Sequence, residues 1–262
     1  MKKKLFFVSV FFFFNIFIGA YPSEKAEVVE KAIDKFKNVG SFYFTKKTIT
    51  GSFSVAETRG ALDYLNQKMW ADTQVDNQLI KKVYSKGSKV YIYDGITGEW
   101  FKLNKKDYHF DQGFNKKKFF LFFREAAQKN GFAVSVLEKE NKGEDAFFVI
   151  ESRIENKGEA KKYILDNLDI IFGKNVNNNF KGDLDLLDDY LTLYTADFVN
   201  TILVSKKDFL PKKRVTIYYQ PVGSGDSLRI EESISYFDFN KAVKPELPEA
   251  AKAAPTMPVS LQ

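Results

Sequence analysis

Residues 90–103, VYIYDGITGEWFKL, read as two short strands joined by a turn that contains glycine. Successive side chains of a strand point to opposite faces, so an ordinary half-buried hairpin is apolar on one face and polar on the other. Here Tyr91 and Tyr93 share one face, while Val90 and Ile92 share the other. Both faces are therefore apolar or aromatic, and the second face must be covered by the protein's own core, by a partner or by a hydrophobic ligand.

The stretches on either side of this hairpin continue the β pattern. Short segments rich in β-branched and aromatic residues alternate with Gly, Asn, Asp or Ser. They are predicted at 41–51, 55–65, 68–75, 79–85, 89–95, 132–140, 146–154, 201–211, 212–221 and 227–240. Tight turns join successive strands and no βαβ alternation appears, which predicts an antiparallel meander.

Two stretches have helical periodicity. Residues 23–38 predict an amphipathic helix, with Ser23 as the N-cap and an apolar stripe repeating at helical spacing. The stripe consists of Val29, Ala32, Ile33 and Phe36. Residues 115–131, NKKKFFLFFREAAQKNG, predict a second helix.

This second helix is unusually rich in phenylalanine. Its main apolar face is formed by Phe119, Phe122, Phe123 and Ala126. Phe120 and Leu121 make it apolar around more of its circumference than one contact with a sheet requires. A buried core helix is one interpretation, and a lid over a hydrophobic hollow explains the additional apolar faces better.

Residues 156–200 are predicted as an insertion or a second lid element. They contain a possible strand at 161–167, an Asn-rich turn at 175–179 and an acidic-aliphatic helix at 183–198. Residues 246–262 are rich in Pro and Ala and predict a flexible C-terminal tail.

The N-terminus has the layout of a secretory signal peptide. MKKK is followed by the mostly apolar run 5–19 and then by Ala20, which predicts residues 1–20 as a signal cleaved after Ala20. The run is shorter than the roughly 20 residues of a membrane-spanning helix, although an uncleaved anchor is the alternative. The chain contains no cysteine, so it has neither a disulfide nor a thiol for lipid attachment. An exported chain without disulfides is expected in the periplasm.

Charge and motifs argue against several classes of function. The net charge of +6 includes three lysines of residues 1–20, which hold no acid, so cleavage leaves +3. The remaining charges are interspersed, and no nucleic-acid partner is expected. The single histidine, His109, and the acidic run 183–189 lack the spacing of a metal site, so neither a metal nor a cofactor is predicted. No catalytic motif is present and no enzyme is predicted, although a hydrolase with two carboxylates stays open.

Three stretches resemble the outer-membrane lipoprotein carrier (LolA-like) superfamily, which includes mycobacterial lipoglycan carriers and sensor domains. They are GALDYLNQKMWADTQ (60–74), KKVYSKGSKVYIYDGITGEWFKL (81–103), and DFLPKKRVTIYY (208–219) followed by SISYFDFNKAVKPELPEA (233–250). The resemblance implies an α+β fold over residues 21–245, a half-open antiparallel β-barrel with helices covering the concave face. Where the proteobacterial carriers have an Arg-Pro pair that holds the lid closed, this chain has Tyr64-Leu65-Asn66.

The resemblance also implies a function. Acyl chains of lipids or lipoproteins would bind in the half-barrel, and the protein would ferry them toward the outer membrane as a monomer. Donor and acceptor proteins in the inner and outer membranes would contact it transiently. The residues expected to bind lipid are Phe42, Phe44, Trp70, Tyr91, Tyr93, Trp100, Phe119, Phe122, Phe123 and Phe147. The alternatives are a lipid sensor or chaperone that does not transport, an envelope hydrolase and an ordinary β-sandwich binding protein.

Overall fold

The computed structural model describes residues 22–51, 54–104, 116–140, 146–172, 184–222, 226–243 and 247–256. The strands are β1 Ser41–Thr50, β2 Ser54–Asp63, β3 Lys68–Val75, β4 Gln78–Lys86, β5 Lys89–Asp94, β6 Glu99–Asn104, β7 Phe132–Glu140, β8 Ala146–Ile154, β9 Val199–Ser205, β10 Pro211–Val222 and β11 Asp226–Phe237. The helices are α1 Pro22–Lys37, α2 Lys116–Phe119, α3 Glu125–Gln128, α4 Lys157–Asp166, α5 Leu168–Ile171, α6 Leu184–Tyr194 and α7 Glu249–Lys252, with a 3₁₀ turn at Leu121–Phe123. The predicted signal peptide, His109 and the Asn-rich turn lie outside the described residues.

Within the described residues, the strands form one eleven-stranded sheet in the order β6-β5-β4-β3-β2-β1-β11-β10-β9-β8-β7. Every neighbouring pair is antiparallel. Two meanders, β1–β6 and β7–β11, are joined where β1 pairs with β11, and β6 and β7 form the two edges. The sheet is therefore half-open, and the predicted α+β class with a half-open antiparallel sheet is confirmed.

Pairing across the strands gives the sheet two distinct faces. The inner face carries Phe42 and Phe44 of β1 with Ile150 and Ile202 of the second meander, all fully buried in one cluster with α1. The opposite surface is the outer face. Because residues paired between neighbouring strands share a face, the register assigns every strand residue to one face or the other.

Helix α1 covers the inner face as its sequence predicts. The whole predicted stripe, Val29, Ala32, Ile33 and Phe36, is at most 4% exposed. The charged side chains of α1 remain at the surface, for example in the ion pair between Lys31 and Glu27. The periodicity of the apolar residues thus determined which side of α1 is buried.

The continuous helix predicted at 115–131 is wrong. The chain forms two four-residue helices separated by the 3₁₀ turn, and Arg124 has an extended backbone with ψ 156°. The reason is that neighbouring rings pack in different clusters: Phe120 and Phe123 join the α1 cluster, whereas Phe122 joins a second cluster. A regular helix does not deliver these consecutive large side chains to two separate places.

The strand predicted at 161–167 is also wrong, because these residues belong to α4 or its C-terminal end. Asn156 caps α4 by accepting hydrogen bonds from the backbone N–H groups of Gly158 and Glu159 at 3.1 and 3.3 Å. The helix predicted at 183–198 is confirmed as α6 from Leu184 to Tyr194, whereas residues 195–198 lie beyond its end and are not helical. Helices α4 to α6 bury the second cluster, so they complete the protein's core beside β10.

Part of the predicted flexible tail is folded. Helix α7 buries Ala251, and Ala254 just after it is 6% exposed. The backbone N–H of Lys102, on edge strand β6, donates to the carbonyl of Pro255 at 2.8 Å. An edge strand has backbone N–H and C=O groups that no neighbouring strand binds. These groups provide hydrogen-bond partners for an extended segment, which explains why this part of the tail is ordered. None of the described helices combines the length and hydropathy needed to cross a membrane.

Candidate lipid-binding site

The ten aromatic residues expected to bind lipid divide between the two sides of the sheet. On the inner side are Phe42, Phe44, Phe119, Phe122 and Phe123. On the outer face are Trp70, Tyr91, Tyr93, Trp100 and Phe147. The register explains this division. Leu62 of β2 pairs with Phe42, so these two side chains share the inner face. The next residue, Ala61, points the other way and pairs with Trp70. The ten residues therefore do not line one common pocket.

The two faces of the β5–β6 hairpin differ in how far their side chains are buried. Its inner face carries Val90 and Leu103, which are 1% and 5% exposed in a small cluster of their own. On the outer face the Trp100 ring lies 5.3 Å from that of Tyr93. Leu247 of the C-terminal segment lies nearby, across a cavity of about 50 Å³ that Tyr91 also lines. The inner face is therefore closed at Val90 and Leu103, whereas Tyr91, Tyr93 and Trp100 on the outer face remain partly exposed.

The centre of the inner face is filled by the Phe segment, defined as residues 116–123. The Phe119 ring lies 4.4 Å from Phe36 of α1 and 5.0 Å from Tyr236 of β11. Phe120 and Phe123 are 1% and 0% exposed in the same cluster. The rings thus occupy the space between α1 and the sheet, and the 3₁₀ turn contacts β7 and β8.

Lys116 attaches the Phe segment to the end of α1. Its ammonium donates to the carbonyl of Lys37 at 3.0 Å and to the carbonyl of Val39. These carbonyls belong to the C-terminal end of the helix, where a cation is favoured. The same ammonium lies 4.4 Å from the ring centre of Tyr64, within the stretch that lacks the Arg-Pro pair. Burial raises the pKa of Tyr64 well above its ordinary value, so this ring stays neutral.

We expect Lys116→Met to loosen the Phe segment. The substitution keeps the stem but removes two charge-assisted hydrogen bonds, each worth about 1.5–3 kcal/mol. Amide hydrogen exchange at residues 119–123 should become at least several-fold faster than in the wild type. Lys129→Met is the control, because Lys129 pairs with Glu125 at the surface, where both side chains are more than 70% exposed. Equal exchange at 119–123 in all three proteins would contradict this attachment.

A groove of about 300 Å³ opens between α1 and the β7–β8 edge. Its apolar lining is formed by Val28, Val136, Phe148 and Phe209, and its charged lining by Lys25, Glu27, Lys31 and Glu138. The rings of Phe148 and Phe209 stack with centres 5.7 Å apart. An apolar groove with charged groups suits an amphiphile, whose chain avoids water while its polar end remains hydrated.

The backbone holds Phe209 in the groove by an unusual conformation. Phe209 has φ +56°, in the left-handed region that large side chains rarely adopt. Its N–H donates to the carbonyl of Ser205 at 3.0 Å, and the Asp208 carboxylate accepts from the N–H of Leu210 at 2.9 Å. Such strain costs roughly 1–3 kcal/mol and is retained where the surroundings enforce it.

Sequence reasoning missed Phe148 and Phe209. Phe148 was missed by one position, because the expected residue Phe147 lies on the outer face and its neighbour lines the groove. The alternation of β8 provided a signal, since Phe148 shares its face with Ile150. Phe209 lies in the β9–β10 turn, and no periodic pattern predicts where a turn residue points.

A second cavity, of about 190 Å³, lies between the inner face and helices α5 and α6. It is lined by Lys118, Phe122, Ile171, Phe172, Tyr194, Asn200, Arg214, Thr216, Tyr218 and Glu232. Complete burial raises the pKa of the Tyr194 phenol well above its ordinary value. Among the described residues, no group of three or more His, Cys, Asp or Glu is arranged to hold a metal ion.

No known family model matches the sequence, and neither does any curated protein. Among solved structures, the chain is similar to the Mycobacterium tuberculosis lipoprotein LppX. That match has 8% identity and a TM-score of 0.49, and it covers 85% of this chain and 98% of LppX. A conserved uncharacterized protein from Thermus thermophilus matches with 8% identity and a TM-score of 0.40, over 88% of this chain and 96% of that one.

Proposed function

We propose that this protein binds the acyl chains of lipids or lipoproteins on the inner face of its sheet and carries them through the periplasm toward the outer membrane. The observation that supports this most directly is the Phe segment. It fills the space between α1 and the sheet with three buried rings, yet it consists of short helical pieces next to an apolar groove. A plug of this kind can exchange with a ligand of similar chemistry.

The groove is large enough to hold part of an acyl chain without a rearrangement of the protein. At roughly 30 Å³ per methylene, similar to the share of a water molecule in the liquid, about 300 Å³ holds roughly ten carbons. A chain of 16 carbons exceeds this volume. In this proposal the remaining carbons enter the space that Phe120 and Phe123 now occupy, so that a longer chain displaces the Phe segment.

The exchange leaves a net gain of roughly 3–7 kcal/mol relative to the chain in water. Burying a 16-carbon chain is worth roughly 12 kcal/mol at about 0.8 kcal/mol per methylene. Returning three phenylalanine rings to water costs roughly 5–9 kcal/mol at about 1.5–3 kcal/mol each. This surplus keeps the chain bound in water, and because it is smaller than the roughly 12 kcal/mol that the same chain gains in a membrane, release into an acceptor membrane is favourable.

The location and partners are part of the same proposal. The signal-like residues 1–20 and the absence of cysteine support export to the periplasm. Delivery requires transient contact with a donor at the inner membrane and an acceptor at the outer membrane. In this proposal the protein acts as a monomer and binds its cargo without chemical conversion.

Native mass spectrometry of the protein purified from its own cell envelope tests the proposal. We expect lipid to co-purify, and the delipidated protein to bind a fluorescent fatty acid saturably with submicromolar affinity. The loaded protein should also speed transfer of that lipid from donor to acceptor vesicles. Binding without transfer would favour a lipid sensor or chaperone, and absence of both bound lipid and saturable binding would refute the proposal.

A further inference from the structure

The cavity of about 190 Å³ contains an arginine with no ionic partner among the described residues. Arg214 of β10 lies on the inner face and is only 4% exposed. Within the described ranges, no residue forms a hydrogen bond or ion pair with its guanidinium, which lies 5.7 Å from the centre of the Phe119 ring. A buried arginine normally pairs with a carboxylate or phosphate, because removing its charge from water is strongly unfavourable.

The carboxylate that lines this cavity is already paired. Glu232 accepts from the ammonium of Lys46 at 2.9 Å, with both side chains largely buried. Lys118 adds a further positive charge to the lining. The cavity lining therefore includes two cationic side chains, Lys118 and Arg214, and one carboxylate, which is bound to Lys46.

Neutral donors complete the lining. The Thr216 hydroxyl donates to the side-chain oxygen of Asn200 at 3.2 Å, and no described residue accepts from the amide nitrogen of Asn200. The pKa of Tyr194 is raised well above its ordinary value by burial, so its phenol keeps its proton and can donate. Guanidinium, amide and hydroxyl groups around a small cavity are the donors that recognise an oxyanion.

The register connects this cavity to the groove. Val136, Ile150, Ile202 and Arg214 are paired in series across β7, β8, β9 and β10. Val136 lines the groove and Arg214 lines the cavity. With about 4.8 Å between neighbouring strands, the row is roughly 14 Å long. The two residues between its ends are fully buried isoleucines, in the same cluster as Phe123.

We infer that Arg214 binds the anionic group of an amphiphile, a carboxylate or a phosphate, in this cavity. The acyl chain then lies along the isoleucines toward the groove, in the space that the Phe segment vacates. This inference rests on the proposed lipid binding for the position of the chain. The oxyanion site itself stands on the buried guanidinium and the donors around it.

Calorimetric titration of the delipidated mature protein tests the inference with dodecanoate, 1-dodecanol of the same length, and inorganic phosphate. The wild type should bind dodecanoate about tenfold or more tightly than dodecanol, the effect expected of a charge-assisted hydrogen bond. Arg214→Gln should abolish this preference while keeping the affinity for dodecanol, which an unfolded variant would lose. Arg229→Gln is the control, because Arg229 lies on the outer face beside Glu231 and should leave the preference unchanged.

The phosphate titration separates the two sources of an oxyanion. Phosphate binding that Arg214→Gln abolishes supports the site for free anions, and binding of dodecanoate but not phosphate assigns it to a lipid headgroup. Failure of both dodecanol and dodecanoate to bind would overturn the proposed lipid binding. The phosphate titration alone would then test whether Arg214 forms an oxyanion site. An unchanged preference for dodecanoate and unchanged phosphate binding in Arg214→Gln would show that Arg214 does not bind the anion and would overturn the inference.

Discussion

Phe123→Ala is expected to lower the free energy of unfolding by about 3–5 kcal/mol, the usual loss for a fully buried phenylalanine. A long-chain fatty acid should then restore more stability to this variant than it adds to the wild type. In the proposed exchange, a ligand must first displace this ring in the wild type, whereas in the variant the same space is already empty. Urea unfolding with and without saturating palmitate measures both effects.

Phe132→Ala is the matched control for this exchange. Phe132 is 2% exposed and packs against Phe122 and Phe198 in the second cluster, away from the space beneath α1. Its loss should destabilise the protein by a similar amount, about 3–5 kcal/mol. Palmitate should nevertheless raise the free energy of unfolding of this variant by the same amount as that of the wild type. Equal gains in all three proteins would show that the Phe segment is a permanent part of the core.

Gly60→Ala is expected to destabilise the sheet by about 1–3 kcal/mol or more, as overpacking does in a dense core. Gly60 lies on the inner face of β2, directly opposite Phe44 of β1. A Cβ at this position would lie 2.4 Å from the carbonyl oxygen of Trp70 and 2.6 Å from the Phe44 ring. The carbonyl is part of the β2–β3 backbone, so relief requires movement of a strand. Thermal or urea unfolding measures the loss.

Gly158→Ala provides the comparison. Gly158 lies in the first turn of α4, where a Cβ would approach no closer than 3.6 Å to the Asn156 side chain. Alanine there should be neutral or stabilise the protein by up to about 1 kcal/mol, through its higher helix propensity. A Gly60→Ala variant as stable as Gly158→Ala would show that the sheet adjusts at β2 without loss.

Local periodicity determined the strands and the first helix of this protein. Segments such as 68–75 and 132–140 coincide with β3 and β7, because alternating side chains and turn residues act within a few positions of the chain. The stripe on α1 was readable for the same reason, since its members recur at helical spacing. The order of the strands followed from the tight turns that join consecutive segments.

Residues distant in sequence decided the candidate site. Pairing of β1 with β11 placed Phe42 and Phe147 on opposite faces of one continuous sheet, and no local pattern contains that pairing. The continuous helix predicted at 115–131 does not form, because its phenylalanine side chains pack in two separate clusters whose other members come from distant elements. The four-residue row from Val136 to Arg214 crosses four strands, so the groove, the buried guanidinium and the space between them exist only after the strands have paired.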